Sequence, residues 1–258
     1  MPDVMATLSY GSIGLLLIAA FVAGVVDAIA GGGGLITVPA FLLAGVPPLQ
    51  ALATNKVQGA FGAATAAVSY AAKGHVQLGR QLLPALGAFG AALVGALVVP
   101  LIPTDYLRMI LPVILIGIAL FFALKPGLSD LDRAVRLRPL VFSATFVPLI
   151  AFYDGLVGPG AGSFYMIAFV LMAGQGVLKA TAHTKLLNLA SNLGGLAGFA
   201  LAGAPLWGLG IAMGVAQMAG ARLGALLAMR AGARLIKPLL VITSTSLALR
   251  LIWQMWSS

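Results

Sequence analysis

The stretch that decides the fold runs from Asp27 to Gly45, with the sequence DAIAGGGGLITVPAFLLAG. Four consecutive glycines interrupt an otherwise apolar run. A second stretch, DGLVGPGAGSFYMIAFVLMAG from Asp154 to Gly174, repeats the order of aspartate, glycine-rich break, about ten apolar residues and glycine. Ten helical residues span about 15 Å, which is half the thickness of a bilayer core. Each stretch therefore predicts a short helical segment that follows a break.

The composition of the whole chain is that of a membrane protein. Of its 258 residues, 61% are hydrophobic and 8% are charged, whereas a soluble domain has about 25% charged residues. Residues 82–102, 106–124 and 239–256 each have about the length needed to cross a bilayer. We predict an all-α polytopic membrane protein with no soluble domain. Its net charge of +9 is then a feature of topology and does not indicate nucleic acid.

Few residues are available for cofactor or metal chemistry. The chain has no cysteine, no glutamate and two histidines, which excludes disulfides, iron–sulfur clusters and thiol chemistry. The phosphate-binding pattern GxxxxGK[ST] is missing from the sequence, so ATP is not the direct energy source. We predict no cofactor, no metal and no catalytic residue.

Apolar periodicity and glycine or proline punctuation predict five helical segments in each half of the chain. The second segment of each half is the short one. The predicted segments are 10–30, 35–44, 48–72, 81–102 and 104–124, followed by 139–157, 163–173, 176–202, 205–229 and 233–256.

The two halves resemble each other beyond the glycine breaks. ALATNKVQG at 51–59 aligns with ATAHTKLLN at 180–188, which places Lys56 over Lys185. We predict a first repeat at 1–126, a basic linker at 127–138 and a second repeat at 139–258. Because each repeat makes an odd number of net crossings, the two repeats must have opposite orientations in the membrane.

The positive charges fit such an inverted arrangement. The loops with Lys or Arg should face the cytoplasm, whereas the turns at 102–106 and 203–205 have neither residue. We predict a cytoplasmic membrane of a bacterium or archaeon, with both termini outside and Trp253 and Trp256 at the far interface. The basic residues of the three loops are Lys73 and Arg80; Lys125, Arg133, Arg136 and Arg138; and Arg230, Arg234 and Lys237.

Glycine breaks inside a membrane protein are tolerated only where protein or a wet cavity satisfies the freed backbone groups. The short helix after each break offers N–H groups and a positive dipole end, which together suit an anion. Paired breaks of this kind point to a transporter's binding site. The alternative is that the glycines only permit close helix packing. The predicted binding glycines are Gly31, Gly32, Gly33, Gly34, Gly158, Gly160 and Gly162.

The stretches VPAFLLAGVPPLQALATNK and ATAHTKLLNLASNLGGLAGF, with the breaks before them, resemble the sulfite exporter TauE/SafE family of membrane permeases. The resemblance covers nearly the whole chain. It implies a permease that moves small sulfur-containing anions, such as sulfite and organosulfonates. The second break departs from the first by including Pro159, which should make it stiffer.

Polar residues inside the apolar segments are the remaining site candidates. In the second half they form one helical stripe of Thr181, Thr184, Lys185, Asn188, Ser191 and Asn192. Asn55 and Lys56 are the first-half counterparts of Thr184 and Lys185. A buried lysine is costly and faces a cavity or a partner, so we predict an anion path along this stripe. The alternative is that the lysines snorkel to the headgroups.

Asp27 and Asp154 each lie just before a break. They are candidates for carrying coupling protons, because a desolvated carboxylate titrates nearer neutral pH. They are equally suited to bonding freed amides or pairing with a lysine. His183 is a third proton candidate, although it lies on the helix face opposite Lys185.

These features predict a secondary transporter for a small anion, working by alternating access and driven by protons or membrane potential. A passive anion channel on the same scaffold is the first alternative. An intramembrane hydrolase is a weaker one, suggested only by Ser163 in GAGSFY together with His183. The predicted partners are a small sulfur anion and membrane lipid, with a homodimer possible and no nucleic acid.

Overall fold

The structure is a computed structural model that describes residues 8–76, 78–124 and 134–232. Within these ranges the regular structure is entirely helical, as the sequence predicts. The nine α-helices of the described ranges are α1 (Tyr10–Ala30), α2 (Gly34–Leu43), α3 (Pro48–Ala72), α4 (Leu82–Val98), α5 (Thr104–Leu124), α6 (Pro139–Leu156), α7 (Ala161–Leu171), α8 (Val177–Leu201) and α9 (Trp207–Ala231).

The predicted segments agree closely with these helices. The bounds of α1, α3 and α5 are those predicted, and most others differ by one or two residues. Helix α4 is the exception, because its last predicted turn is a short 3₁₀ helix, Val99–Leu101. Helix α7 begins at Ala161 because Gly160 adopts a left-handed conformation, with φ of 82°, immediately before it.

Some predictions fall outside the described residues. The tenth segment, 233–256, is one of them. Others concern the basic residues Lys125, Arg133, Arg234 and Lys237 and the two C-terminal tryptophans, Trp253 and Trp256. The sidedness of the loops and termini stays a prediction.

Four helices of the described ranges are long and apolar enough to cross a membrane: α1, Leu82–Leu101, α6 and α9. Their apolar side chains form much of the outer surface, including Leu15, Leu149 and Val215. Exposed leucine and valine are compatible with a lipid environment. The chain is therefore a multi-pass helical membrane protein.

Helices α3 and α8 lie at the centre of the bundle and pack against each other. Each is 25 residues long and has a row of buried polar residues. Around this pair, α1 packs against α9, and α4 packs against α6; α3 also contacts α9, and α8 contacts α4. Each of these contacts joins a helix of one predicted half to a helix of the other. The opposite orientation of the halves and the boundary at 127–138 stay predictions.

Glycines bring these outer helix pairs into close contact. A Cβ at Gly220 in α9 would overlap the carbonyl of Phe21 in α1, and one at Gly155 in α6 would overlap that of Ala92 in α4. Small residues allow such close approach in membrane bundles. Close packing therefore accounts for many of the glycines in these helices.

Candidate functional site

The two glycine breaks contact each other at the centre of the bundle. The Ser163 N–H donates to the carbonyl of Gly31 at 3.1 Å, and the Ser163 hydroxyl donates to the carbonyl of Ala30 at 2.6 Å. A Cβ at Gly31 would overlap the main chain of Gly162, and Gly31 has a positive φ of 80°. Only glycine lets these two main chains approach so closely.

A small cavity of about 20 Å³ lies beside this crossing. This is room for about one water molecule. Both breaks contribute to it, together with residues of α1, α3, α6, α8 and α9. Its lining residues are Asp27, Gly31, Gly34, Asn55, Gly59, Asp154, Gly158, Gly162, Asn188, Asn192 and Gln217.

Two backbone amides at the cavity have no acceptor among the described residues. The N–H groups of Gly34 and Gly162, in the first turns of α2 and α7, make no hydrogen bond within the part of the chain that the structure describes. Both residues line the cavity. The first-turn N–H groups of a helix suit an anion, because the helix dipole adds to them. One such group therefore comes from each half of the chain.

Asn55 presents a donor to the cavity. Its Oδ1 accepts from the Thr37 hydroxyl at 2.6 Å and from Gln58 Nε2 at 3.0 Å. These two bonds occupy the carbonyl side of the amide, so the Nδ2 group is left as the side chain's donor. On α8, Asn192 Nδ2 donates to the carbonyl of Asn188 at 2.7 Å, and both asparagines line the cavity.

Lys56 and Asp154 form a buried ion pair across the two halves. Lys56 Nζ lies 2.5 Å from Asp154 Oδ1, and the exposed fractions of the two side chains are 1% and 3%. The Ser191 hydroxyl donates to the other oxygen of Asp154. Gly158 makes room for the ammonium, because a Cβ there would lie 3.0 Å from Lys56 Nζ.

Lys185 and Asp27 form the reciprocal pair, but more loosely. Lys185 Nζ lies 3.9 Å from Asp27 Oδ2 and also donates to the main-chain carbonyl of Asp27. Asp27 Oδ1 accepts from the Gly33 N–H at 3.3 Å. Each lysine thus pairs with the aspartate of the other half. Both aspartates line the cavity, and among the described residues no lysine does.

The structure brings together most of the predicted site residues, although not all at the cavity. Gly31, Gly34, Asn55, Gly158, Gly162 and Asn188 line it, together with both aspartates. Gly32, Gly33 and Gly160 belong to the breaks, and the lysines lie behind the carboxylates. The Thr184 hydroxyl donates to the carbonyl of Ala180 in its own helix, at 2.8 Å.

His183 lies away from the central cavity. Its Nδ1 is 2.8 Å from Gln81 Nε2, and its ring packs edge-on against Phe169. These residues line a separate cavity of about 240 Å³, between α6, α7, α8 and the start of α4. The structure therefore does not bring His183 together with Asp27 and Asp154.

Two lining residues, Gly59 and Gln217, were not among the predicted site residues, whereas Asn192 belongs to the predicted polar stripe. Gln217 is 3% exposed, and its Oε1 has no hydrogen-bond partner among the described residues. Gly62 accommodates this side chain, because a Cβ there would lie 2.6 Å from Gln217 Nε2. A single glutamine inside an apolar helix is a signal that could have identified it.

Within the described residues no group of three or more His, Cys, Asp or Glu side chains could hold a metal. The site is instead made of backbone amides, side-chain carboxamides and two carboxylates, each paired with a lysine of the other half. Glycine breaks separate α1 from α2 and α6 from α7, and these two interrupted helices meet at a small polar cavity inside a membrane bundle. This arrangement is that of a membrane transporter.

Comparison with known proteins leads to the same class. Residues 16–251 match the family described as sulfite exporter TauE/SafE, and the chain belongs to this family. It is 54% identical over 248 residues to "Probable membrane transporter protein ORF9" of Sinorhizobium sp., covering 96% of this chain and 95% of that protein. No solved structure matches the chain.

Two further relatives have similar names. "Probable membrane transporter protein YfcA" of Escherichia coli K12 is 44% identical over 241 residues, covering 93% of this chain and 90% of that protein. A "Probable membrane transporter protein" of Haemophilus influenzae is 39% identical over 239 residues, covering 93% and 94%. The family and these names indicate a membrane transporter and not an enzyme, which excludes the hydrolase alternative.

Proposed function

We propose that the protein is a secondary transporter that moves a small anion, sulfite or an organosulfonate, across the cytoplasmic membrane by alternating access. One observation supports it most. At the point where the two broken helices meet, each half contributes an unbonded backbone N–H to one cavity. The family description supports the sulfur chemistry of the anion.

In this proposal the anion's oxygens accept from the N–H groups of Gly34 and Gly162 and from the carboxamide of Asn55. Asn188 and Asn192 complete the polar wall on the α8 side. Lys56 and Lys185 supply positive charge from behind the carboxylates, within the two ion pairs. A planar or pyramidal oxyanion with several acceptor oxygens suits such convergent donors.

The size of the cavity favours alternating access over a channel. A cavity of about 20 Å³ holds about one water molecule, so in this proposal the helices move apart to admit the anion. An open pore would need no such rearrangement. Helices of one half pack against helices of the other half. Rocking of the two halves against each other would open the cavity to either side of the membrane. Protons or the membrane potential would drive this cycle.

The test is flux in proteoliposomes of the purified protein. We expect saturable, concentrative uptake of labelled methanesulfonate and sulfite under an imposed pH gradient or membrane potential. Asn55→Asp is the sharpest site variant, because it keeps the oxygen bonded by Thr37 and Gln58 and replaces only the donor with a negative oxygen. Its uptake should fall at least tenfold.

Thr65→Val is the matched control, because among the described residues that hydroxyl bonds only the carbonyl of Phe61 in its own helix. Lys185→Ala should also lose driven uptake. Flux that never exceeds equilibrium would favour the passive channel. Absence of methanesulfonate and sulfite flux in the wild-type protein would refute this substrate class.

A further inference from the structure

We propose that Asp27 is the proton-binding site of the transport cycle and that each monoanion is bound together with one proton. This inference rests on the proposed function and names the group that couples it to protons. The observation behind it is the unequal compensation of the two carboxylates that line the cavity.

The charge balance of the cavity requires a positive partner for the anion. Asp27, Asp154, Lys56 and Lys185 form two cross-paired ion pairs, so the cluster is neutral when all four groups are charged. The carboxylates face the cavity and the lysines do not. An anion that entered would meet two negative groups in a buried site, which is unfavourable. One proton on one carboxylate leaves the cluster with a charge of +1, which a monoanion neutralises.

The geometry selects Asp27 over Asp154 as the carboxylate that takes this proton. Asp154 has an ammonium at 2.5 Å from one oxygen and the Ser191 hydroxyl on the other, so both of its oxygens have a close partner. Asp27 has its ammonium at 3.9 Å and one backbone N–H at 3.3 Å. The side chain of Asp27 is therefore the less closely paired of the two carboxylates.

Lys185 is already placed for the protonated state. Its Nζ donates to the main-chain carbonyl of Asp27, so the ammonium keeps a partner when the carboxyl is neutral. The neutral carboxyl still accepts from Gly33 through Oδ1 and offers an O–H donor at Oδ2. Protonation thus exchanges a repulsive group for a donor and exposes the charge of Lys185 to the anion.

The other groups around Asp27 do not compete for this role. From α3, Tyr70 donates its hydroxyl to the carbonyl of Ala28 at 3.0 Å. From α9 the neighbouring polar side chain is the neutral Gln217, and across the cavity lies Asp154 with its own lysine. Lys185 of α8 is the cation that faces Asp27.

The first test is transport of methanesulfonate, which stays a monoanion throughout the useful pH range. In the wild-type protein a pH gradient should drive uptake, the apparent affinity should rise as pH falls, and an imposed potential should have little effect because one proton neutralises one anion. Asp27→Asn keeps an oxygen for the Gly33 N–H, and Lys185 keeps the main-chain carbonyl of residue 27 as an acceptor. It should lose pH-driven accumulation, and its remaining flux should respond to potential instead of pH.

The second test needs no substrate. Infrared difference spectra of wild-type protein in nanodiscs, taken as pH is changed, should contain the C=O band of a titrating carboxylic acid. Asp27→Asn should remove this band, and the control Asp105→Asn, in the first turn of α5, should keep it.

Retention of pH-driven uptake or of the carboxylic acid band in Asp27→Asn would overturn the inference. Failure of the proposed function has a different signature: the wild-type protein moves neither methanesulfonate nor sulfite. In that case the infrared test still decides whether Asp27 binds a proton.

Discussion

The two glycine breaks share one sequence pattern, but different groups hold them in place. The first, Gly31 to Gly34, is held at its centre by the Gly33 N–H bond to Asp27 and by the Thr37 hydroxyl bond to the Gly33 carbonyl, both at 3.3 Å. The second has Pro159 between two left-handed glycines. The Tyr153 hydroxyl also donates to the Pro159 carbonyl at 2.5 Å.

The ion pairs next to the two breaks also differ in how closely their charges approach. The tight pair, Lys56 with Asp154, adjoins the second break, and the loose pair, Lys185 with Asp27, adjoins the first. The second break is therefore held more firmly than the first, and the first is freer to change its conformation. We expect the first break to move more than the second during transport.

The largest effect should come from removing one lysine at a time. Lys56→Met leaves Asp154 charged and buried without its cation, which costs about 3–5 kcal/mol. Lys185→Met should cost clearly less, because its carboxylate partner is farther away and has a backbone donor. Thermal unfolding of the detergent-solubilised protein gives both values. Equal losses would contradict the contrast between the two pairs.

The next largest effect should come from disturbing the contact between the two breaks. Gly162→Ala would place a Cβ 2.7 Å from the Gly31 carbonyl oxygen, and overpacking of this kind costs about 1–3 kcal/mol. The unfolding temperature and methanesulfonate uptake should both fall. Gly87→Ala is the control, because its Cβ would meet nothing within 4 Å. If Gly162→Ala behaved like the control, close contact between the two breaks would not be needed for stability or for uptake.

A smaller effect should follow from Tyr153→Phe. Loss of one hydrogen bond costs about 1 kcal/mol, and the second break should become as open to hydrogen exchange as the first. Tyr70→Phe is matched in chemistry, but its hydroxyl bonds Ala28, before the first break. Hydrogen exchange measured by mass spectrometry compares the breaks directly. Unchanged exchange around Pro159 in Tyr153→Phe would show that proline alone stiffens it.

The smallest effect on stability should come from Gln217→Met. The free energy of unfolding should stay within about 1 kcal/mol of the wild-type value, because the substitution removes a buried oxygen that has no partner among the described residues. The KM for the transported anion should nevertheless change, since Gln217 lines the cavity. A large loss of stability with an unchanged KM would make Gln217 a packing residue.

Much of the helical organisation could be predicted because it depends on local signals. The apolar run of α1 ends at glycine, and α3 begins at the proline pair Pro47 and Pro48. Both signals lie in the chain itself, so the bounds of these helices follow from the sequence.

The pairing of charges could not be predicted in the same way. Lys56 pairs with an aspartate 98 positions later, and Lys185 with one 158 positions earlier. Such partners depend on how the halves pack. Likewise, only the bonds from Thr37 and Gln58 show which side of the Asn55 amide is free. The sequence identified the polar residues, but the structure was needed to tell donors at the cavity from charges behind it.

Helices of one half pack against helices of the other half, and this has a consequence for synthesis of the chain. Helix α1 ends at Ala30, and its partner α9 begins only at Trp207. At 5–20 residues per second, roughly 9–35 s separate their emergence from the ribosome. During that interval the face of α1 that contacts Gly220 and Gly224 must be shielded by lipid or the insertion machinery. Two separately expressed halves should therefore be degraded when made singly and rescue each other when made together.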